Sequence, residues 1–303
     1  WRASRAVQRL QHAGRVNLAI FSSDGKLIAS ASEDDTAAVW DTASGRRLFV
    51  LPHDGDVVDL AFSPDGYYLA TASHDKKARL WNLDDGTLER TFEMARWVTA
   101  VTFSDDGRYL AIGSGSAIEL WADRLRLGQG AGAAQRDRLA RERPGGVLVW
   151  DIAQGSERLR LKDGQGINDV SFSPDSRLIA VASADRSATT HDLLSGEALA
   201  SVQHEDGVQQ VAFSPDGRYV ASISASGLLL TSAVNSAKAW DPHSGQEYAR
   251  VAFAAPLLDL AVSPSGRTFV VGSGDRTARV VDIAQERQVG QDQTCGGIHS
   301  DPL

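Results

Sequence analysis

The side chains with the makings of chemistry are His12, Ser32 and Asp34 and, 41 residues later in each case, His53, Ser73 and Asp75. Serine, histidine and aspartate are the composition of a nucleophile, base and orienter for acyl transfer. An active site is normally single, however, and a set that recurs at a fixed period reads as part of a structural repeat. Other catalytic signatures are missing from the sequence: GxxxxGK[ST], GxSxG and HExxH do not occur. The seven histidines include no pair at zinc-ligand spacing with further ligands nearby. The run Gly128-Gln129-Gly130-Ala131-Gly132 lacks dinucleotide-fingerprint spacing and reads as a tether. Most carboxylates fall in turns such as Pro64-Asp65-Gly66, where their work is local hydrogen bonding. The expectation is no catalytic site, no cofactor and no bound metal.

The elements that carry these residues follow from the period. An apolar residue that opens Phe-Ser-Pro-Asp-Gly or a variant of it falls at Phe21, Phe62, Phe103, Phe172, Phe213 and Val262. Three of the five spacings are 41, and the other two are 69 and 49. A Trp or its equivalent precedes the next such residue by 22 positions at Trp40, Trp81, Trp150, His191 and Trp240. Both excess segments therefore lie between the Phe and the Trp, in copies three and five, and the rule selects Trp150 over Trp121. Copies are expected near 12–51, 52–92, 93–161, 162–202, 203–251 and 252–291, with 116–144 inserted in the third and 292–303 a tail.

Within the second copy, 57–62, 68–73, 77–82 and 88–92 are short apolar or β-branched runs between turn signals, and read as strands. Four antiparallel strands make one blade, which must stack on neighbours to bury its faces. The Phe column is expected between blades.

The stretches Ser32-Glu33-Asp34 to Val39-Trp40-Asp41 and Ser73-His74-Asp75 to Leu80-Trp81-Asn82, with Trp150-Asp151 and Trp240-Asp241, resemble the WD-repeat signature. The resemblance covers about 6–285. It implies an all-β propeller of four-stranded antiparallel blades, with six repeats in this chain and seven in the parent if the family's usual number holds. It also implies a buried polar network in each blade: His12, Ser32, Asp34 and Trp40 in the first, His53, Ser73, Asp75 and Trp81 in the second, His204 and Trp240 in the fifth. Copies four and six keep Asp185 and Asp275. Residues 6–10 align with the fourth strand at 46–50, either as the tail of an upstream repeat or as a strand completing the last blade.

The chain carries −8 on 303 residues, which argues against wholesale nucleic-acid binding, and 42% of it is hydrophobic, enough for a real core. No apolar run approaches bilayer length. Its single Cys295 cannot form an internal disulfide, which fits a reducing, cytoplasmic setting. The chain opens at Trp1 and its one methionine is Met94, so it reads as a piece of a longer protein.

The longer insertion carries Arg124, Arg126, Arg136, Arg138, Arg141 and Arg143 against Asp123, Asp137 and Glu142, a basic arm on an acidic body. In the family's fold it projects from the rim that holds the His-bearing loops. The starts of the first strands, Asn17, Asp59, Thr99, Asn168, Gln209, Gln210 and Asp259, are polar where packing alone favours apolar residues. With the six arginines they are the candidate contact residues for a protein partner; a water-filled channel is the plainer reading of the ring, and a solvated loop that of the arm. The function implied is a monomeric, non-catalytic protein-binding scaffold or sensor, resembling bacterial WD-repeat tails of signalling proteins. The alternative is the propeller half of an enzyme such as a peptidase, with its catalytic domain elsewhere.

Overall fold

The computed structural model describes residues 8–115, 145–163, 166–225 and 235–283. Their strands form six antiparallel sheets, each meandering in chain order. Blade 1 holds β1 (Val16–Phe21), β2 (Leu27–Ser32), β3 (Thr36–Asp41) and β4 (Arg47–Pro52). Blade 2 holds β5 (Val57–Phe62), β6 (Tyr68–Ser73), β7 (Lys77–Asn82) and β8 (Leu88–Glu93). Blade 3 holds β9 (Val98–Phe103), β10 (Tyr109–Ser114), β11 (Gly145–Asp151) and β12 (Ser156–Asp163). Blade 4 holds β13 (Ile167–Phe172), β14 (Leu178–Ser183), β15 (Ser187–Asp192) and β16 (Ala198–Gln203). Blade 5 holds β17 (Val208–Phe213), β18 (Val220–Ser224), β19 (Asn235–Trp240) and β20 (Glu247–Phe253). Blade 6 has β21 (Leu257–Val262), β22 (Thr268–Ser273) and β23 (Ala278–Asp282) among the described residues.

The turn between first and second strands shows why the Ser-Pro-Asp-Gly run recurs. Ser22 Oγ donates to Asp24 Oδ1 at 2.7 Å and accepts the Leu27 N–H at 3.0 Å, while Gly25 N–H closes on Ser22 O at 2.9 Å. The same closure recurs at Ser63, Ser104, Ser173 and Ser214. Gly25 has φ +69°, and Ser176 holds φ +56° at the same place in blade 4, a conformation less costly for glycine. The Asp of Trp-Asp plays a parallel part, since Asp41, Asp151 and Asp241 accept backbone N–H groups in the turn to the fourth strand.

Between blades, the second strand of one blade packs against the first strand of the next, and the alanines and branched residues there are buried. One cluster joins Ala29, Ala31, Val39 and Leu51 to Val57, Leu60, Leu69 and Trp81 of the next blade. Burying a side chain of this size contributes roughly 1.5–3 kcal/mol, so each interface outweighs any single polar contact within it. Trp40, Trp81 and Trp240 sit opposite Ile28, Leu69 and Val220 across the second-to-third strand ladder, and Trp150 sits likewise opposite Leu110. Trp121 lies outside the described residues.

The Phe column is not uniform. Phe103, Phe172 and Phe213 are buried and Phe62 is half-buried, but Phe21 is 64% exposed. This corrects the expectation of a column buried throughout. The inner strands contact in the order β1, β5, β9, β13, β17 and β21, with no comparable contact among the described residues from β21 back to β1. Val16 and Phe21 on one side and Leu258 and Val280 on the other are exposed for that reason. Gln8 takes the place against Gly45 that Phe49 takes against Gly86, 41 residues on, so it packs as a fourth-strand residue of a preceding blade would.

Candidate protein-binding face

The recurrent polar set is built on one hydroxyl. In blade 1, Ser30 Oγ lies 2.7 Å from His12 Nε2 and accepts the Trp40 indole N–H at 2.7 Å. His12 Nδ1 faces Asp34 Oδ2 at 3.0 Å, and Thr36 Oγ1 donates to Asp34 Oδ1 at 2.6 Å. Burial pushes the Asp34 carboxyl up, but the hydrogen bonds from Thr36, the Ala13 N–H and His12 together hold it well below the usual range. In blade 2 the bridging hydroxyl is Thr71, 2.8 Å from His53 Nε2 and 3.0 Å from the Trp81 N–H donor. In blade 5 it is Ser222, between His204 Nε2 at 2.8 Å and Trp240 Nε1 at 3.1 Å.

Ser32 and Ser73, expected in this role, are not in it. Their hydroxyls accept the N–H of Asp34 at 3.1 Å and Asp75 at 3.0 Å, bracing the turn that presents the carboxylate. The physical reason is the period of a strand. Ser30 and Ser32 point to the same face, and only Ser30 lies deep enough in the ladder to reach the Trp. The sequence signal is the position nine after the Phe: Ser30, Thr71 and Ser222 where a His is present, Ile112, Val181 and Val271 where it is not. Polar and apolar choices thus switch together, because a lone buried hydroxyl or indole would lack a partner.

Blades 2 and 5 also bury a cation two residues before the Trp. Arg79 pairs with Asp75 at 2.6 Å and donates to His53 Nδ1. The Asp75 carboxylate also lies near that nitrogen, with Oδ2 3.4 Å from His53 Nδ1. Burial first, then the Arg79 charge, lowers the His53 pKa to about 4. Lys238 donates to Gln203 O at 2.8 Å and pairs with Glu247. Burial and the Lys238 and Arg250 charges lower His204 to about 3. Ser236 Oγ meets His204 Nδ1 at 2.9 Å, in the place Asp34 holds against His12. These histidines are neutral near pH 7, each with both ring nitrogens partnered. Asp185 and Asp275 brace their own turns through Ser187 and Thr277.

The polar ring at the first-strand starts is also largely engaged. Asn17 donates to Val57 O at 2.9 Å, Thr99 to Ile167 O at 2.6 Å and Asn168 to Val208 O at 2.7 Å, each reaching the next blade. Asp59 Oδ2 accepts the Val101 N–H at 2.8 Å. Asp169, which the sequence did not single out, accepts the Val211 N–H at 3.0 Å. Gln210 bonds Asp259 at 3.3 Å, and Gln209 turns back to Gly207 O and Ala225 O at 3.4 Å. The ring is thus a set of staples between inner strands. Its cause is a bulge near the start of most first strands, between Val16 and Leu18, Val57 and Asp59, Ile167 and Asp169, Val208 and Gln210, and Leu257 and Asp259. A bulge re-aims the side chain at its centre, here toward the neighbouring blade. A small part of Asp59 and Asp169 reaches solvent, but the inner strands strip most of their hydration. Burial raises both to about 7, with the Asp59 charge adding to the shift at Asp169.

On the rim, loops of successive blades meet at an aromatic pair. His74 and Trp97 stack with centroids 4.3 Å apart, and His74 Nδ1 lies 3.5 Å from Asp56 Oδ2. His74 comes from the β6–β7 turn and Trp97 from the β8–β9 loop, both half-buried. The six arginines of the arm lie outside the described residues.

Six meandering antiparallel sheets, three of them locked internally by a His–hydroxyl–Trp bridge and joined by staples at the inner strands, define a repeat propeller. The chain matches the family of the WD domain, G-beta repeat, over 5–41, 45–82, 86–122, 157–191, 196–230 and 251–282. It belongs to that family. No curated protein matches it. Repeats of this family generally mediate protein–protein interaction, and their propeller is typically a non-catalytic interaction fold. The third match ends beside Trp121, whereas the β10–β11 ladder seats Trp150. No helix among the described residues is long and apolar enough to cross a membrane.

Proposed function

We propose that this chain is a non-catalytic platform for a protein partner, the regulatory part of a larger bacterial signalling protein, acting as a monomeric propeller in the cytoplasm. The observation that carries the binding reading is the His74–Trp97 stack, an aromatic anchor from two blades presented on one rim. Aromatic and arginine side chains at the centre of a contact dominate protein interfaces. The bacterial and signalling context rests on the near-identical neighbouring copies and their Ser-Pro-Asp-Gly turns.

The arginine-rich arm connects β10 to β11 in the sequence, and Gly115, just past the end of β10, donates its N–H to Trp97 O at 2.7 Å. The arm steers an acidic partner toward the anchor, as charge complementarity raises encounter rates. The polar ring is engaged between blades, and its contribution to the seat comes from the exposed Gln210–Asp259 pair.

Affinity capture from lysate tests the reading. Trp97→Ala loses partners that Tyr67→Ala, on the opposite rim, retains. Deletion of 122–144 weakens capture at low salt, and the difference closes near 1 M, where the Debye length is about 3 Å. Identical captures by all three variants and the parent chain would overturn it.

A further inference from the structure

On the rim opposite the Trp97 anchor, two successive pairs of blades form the same cleft with different chemistry. Between blades 4 and 5 it holds about 490 Å³, and its lining includes Asp175, Arg177, Asp192 and Asp216, with Leu178 and Leu199 as apolar walls. Between blades 5 and 6 it holds about 410 Å³. One repeat on, Asp175 becomes Asp216, Arg177 becomes Arg218, Asp216 becomes Ser265, and the two leucines become Tyr219 and Tyr248. Arg267 joins this lining. Three carboxylates and one arginine thus give way to one carboxylate and two arginines.

Two substitutions create the change. In five blades the turn after the first strand carries a carboxylate, and Asp24, Asp65, Asp106, Asp175 and Asp216 each accept the hydroxyl of the turn serine. Blade 6 has Ser265 there, and Ser263 Oγ meets its hydroxyl at 3.1 Å instead. The other substitution is Tyr248. In blades 3 and 6 the arginine after the turn glycine reaches the Asp that follows the Trp position, Arg108 to Asp151 at 2.9 Å and Arg267 to Asp282 at 3.2 Å. In blade 5 the Tyr248 hydroxyl donates to Asp241 Oδ2 at 2.7 Å and takes that place. Arg218 keeps one ion pair among the described residues, to Asp216 at 4.0 Å, which is too long for a hydrogen bond. Its side chain is 64% exposed.

We propose that the cleft between blades 5 and 6 seats an acidic side chain of a peptide segment, its carboxylate on the Arg218 guanidinium and its methylenes along the half-buried Tyr248. A guanidinium presents its donors in a planar fork that matches a carboxylate. A single displaced arginine suits a singly charged carboxylate better than a phosphate monoester, which carries nearly two charges, because Arg267 is already held by Asp282 and Asp216 stays in the lining. That the carboxylate belongs to a protein segment rests on the platform reading above; the cleft itself shares no residue with the Trp97 rim.

The test is nuclear magnetic resonance titration of the whole chain, at constant ionic strength, with N-acetylglutamate N-methylamide, its glutamine counterpart and inorganic phosphate. The Ser265 and Gly266 amide signals move and saturate with the glutamate probe and stay in place with the glutamine one. Arg218→Gln raises the half-saturating glutamate probe at least about tenfold, as expected for losing a hydrogen bond between charged groups. Two variants that copy other blades leave Arg218 in the chain and still weaken binding. Ser265→Asp restores the turn carboxylate, and Tyr248→Phe keeps the ring but returns Asp241 to Arg218. Trp97→Ala leaves this titration unchanged, so failure of the anchor and failure of the cleft are read separately. Equal responses to the glutamate and glutamine probes, no response in the parent chain, or Arg218→Gln binding as the parent does would overturn the site, and half-saturation at lower phosphate than glutamate probe would overturn its assignment to a carboxylate.

Discussion

Arg79 and Asp75 form an ion pair inside the second blade, Nη1 to Oδ2 at 2.6 Å, with side-chain exposures of 9% and 2%. The first blade runs without it, since Ala38 stands where Arg79 does. The two partners are therefore unequal in what their loss exposes.

Asp75→Ala leaves a buried guanidinium with His53 as its only deeply buried neighbour in the network, and also removes the acceptor of the Lys77 and Asp54 N–H groups. Removing one member of a buried pair costs about 3–5 kcal/mol. Arg79→Ala instead recreates the arrangement of blade 1, in which the carboxylate serves the histidine, and its cost is expected to stay under about 2 kcal/mol. Urea unfolding of the two variants measures this. The same Arg79→Ala change takes away a charge that depresses His53, so its pKa rises, which nuclear magnetic resonance titration reads. Equal losses of stability would show that the pair is not the organising contact of that blade.

Ser30 and Ser32 give a second comparison, two residues apart on one strand. Ser30→Ala strands both His12 Nε2 and the Trp40 indole, and leaving buried groups without partners costs about 1–3 kcal/mol. Ser32→Ala removes one acceptor from the N–H of the half-buried Asp34, a single contact, and is expected to cost about 0.5–1.5 kcal/mol. Unfolding midpoints in the reverse order would mean that the hydroxyl bridge does not form.

That pair also marks how far the sequence can be read. Period, blade number and the choice of Trp150 follow from spacing, because every insertion-free copy repeats the same turn chemistry. Strand positions in the second blade agree to within one residue at the end of β8. The inner ring is harder, because a bulge breaks strict alternation: polarity at Asn17 or Asn168 looks like exposure when it means a staple to the next blade. Ser32 and Ser30 are both small, polar and on one face, and only depth in the ladder separates them.

The buried carboxylates and histidines make opposite contributions to the pH dependence of stability. Asp59 and Asp169 are raised to about 7 by burial, against roughly 4 for an unfolded aspartate. Between those values the folded chain keeps protons that the unfolded chain has released, so these groups make stability fall as pH rises from about 4 to 7. His53 and His204, lowered to about 4 and about 3, are neutral in the folded chain while an unfolded histidine is protonated below about 6.5. They make stability rise with pH over nearly the same window, and the two pairs largely offset each other. Variants separate them. Asp59→Asn keeps one acceptor for the Val101 or Leu60 N–H, costs some stability at every pH, and removes one falling contribution. Its unfolding free energy therefore climbs from pH 4 to 7 relative to the parent chain. His204→Gln removes a rising contribution, so its profile declines across the same range. Each slope change is at most about 1.4 kcal/mol per pH unit, the limit for one proton. Urea midpoints at unit steps of pH decide it: profiles that stay parallel to the parent would show that these groups titrate in the folded chain as they do in water.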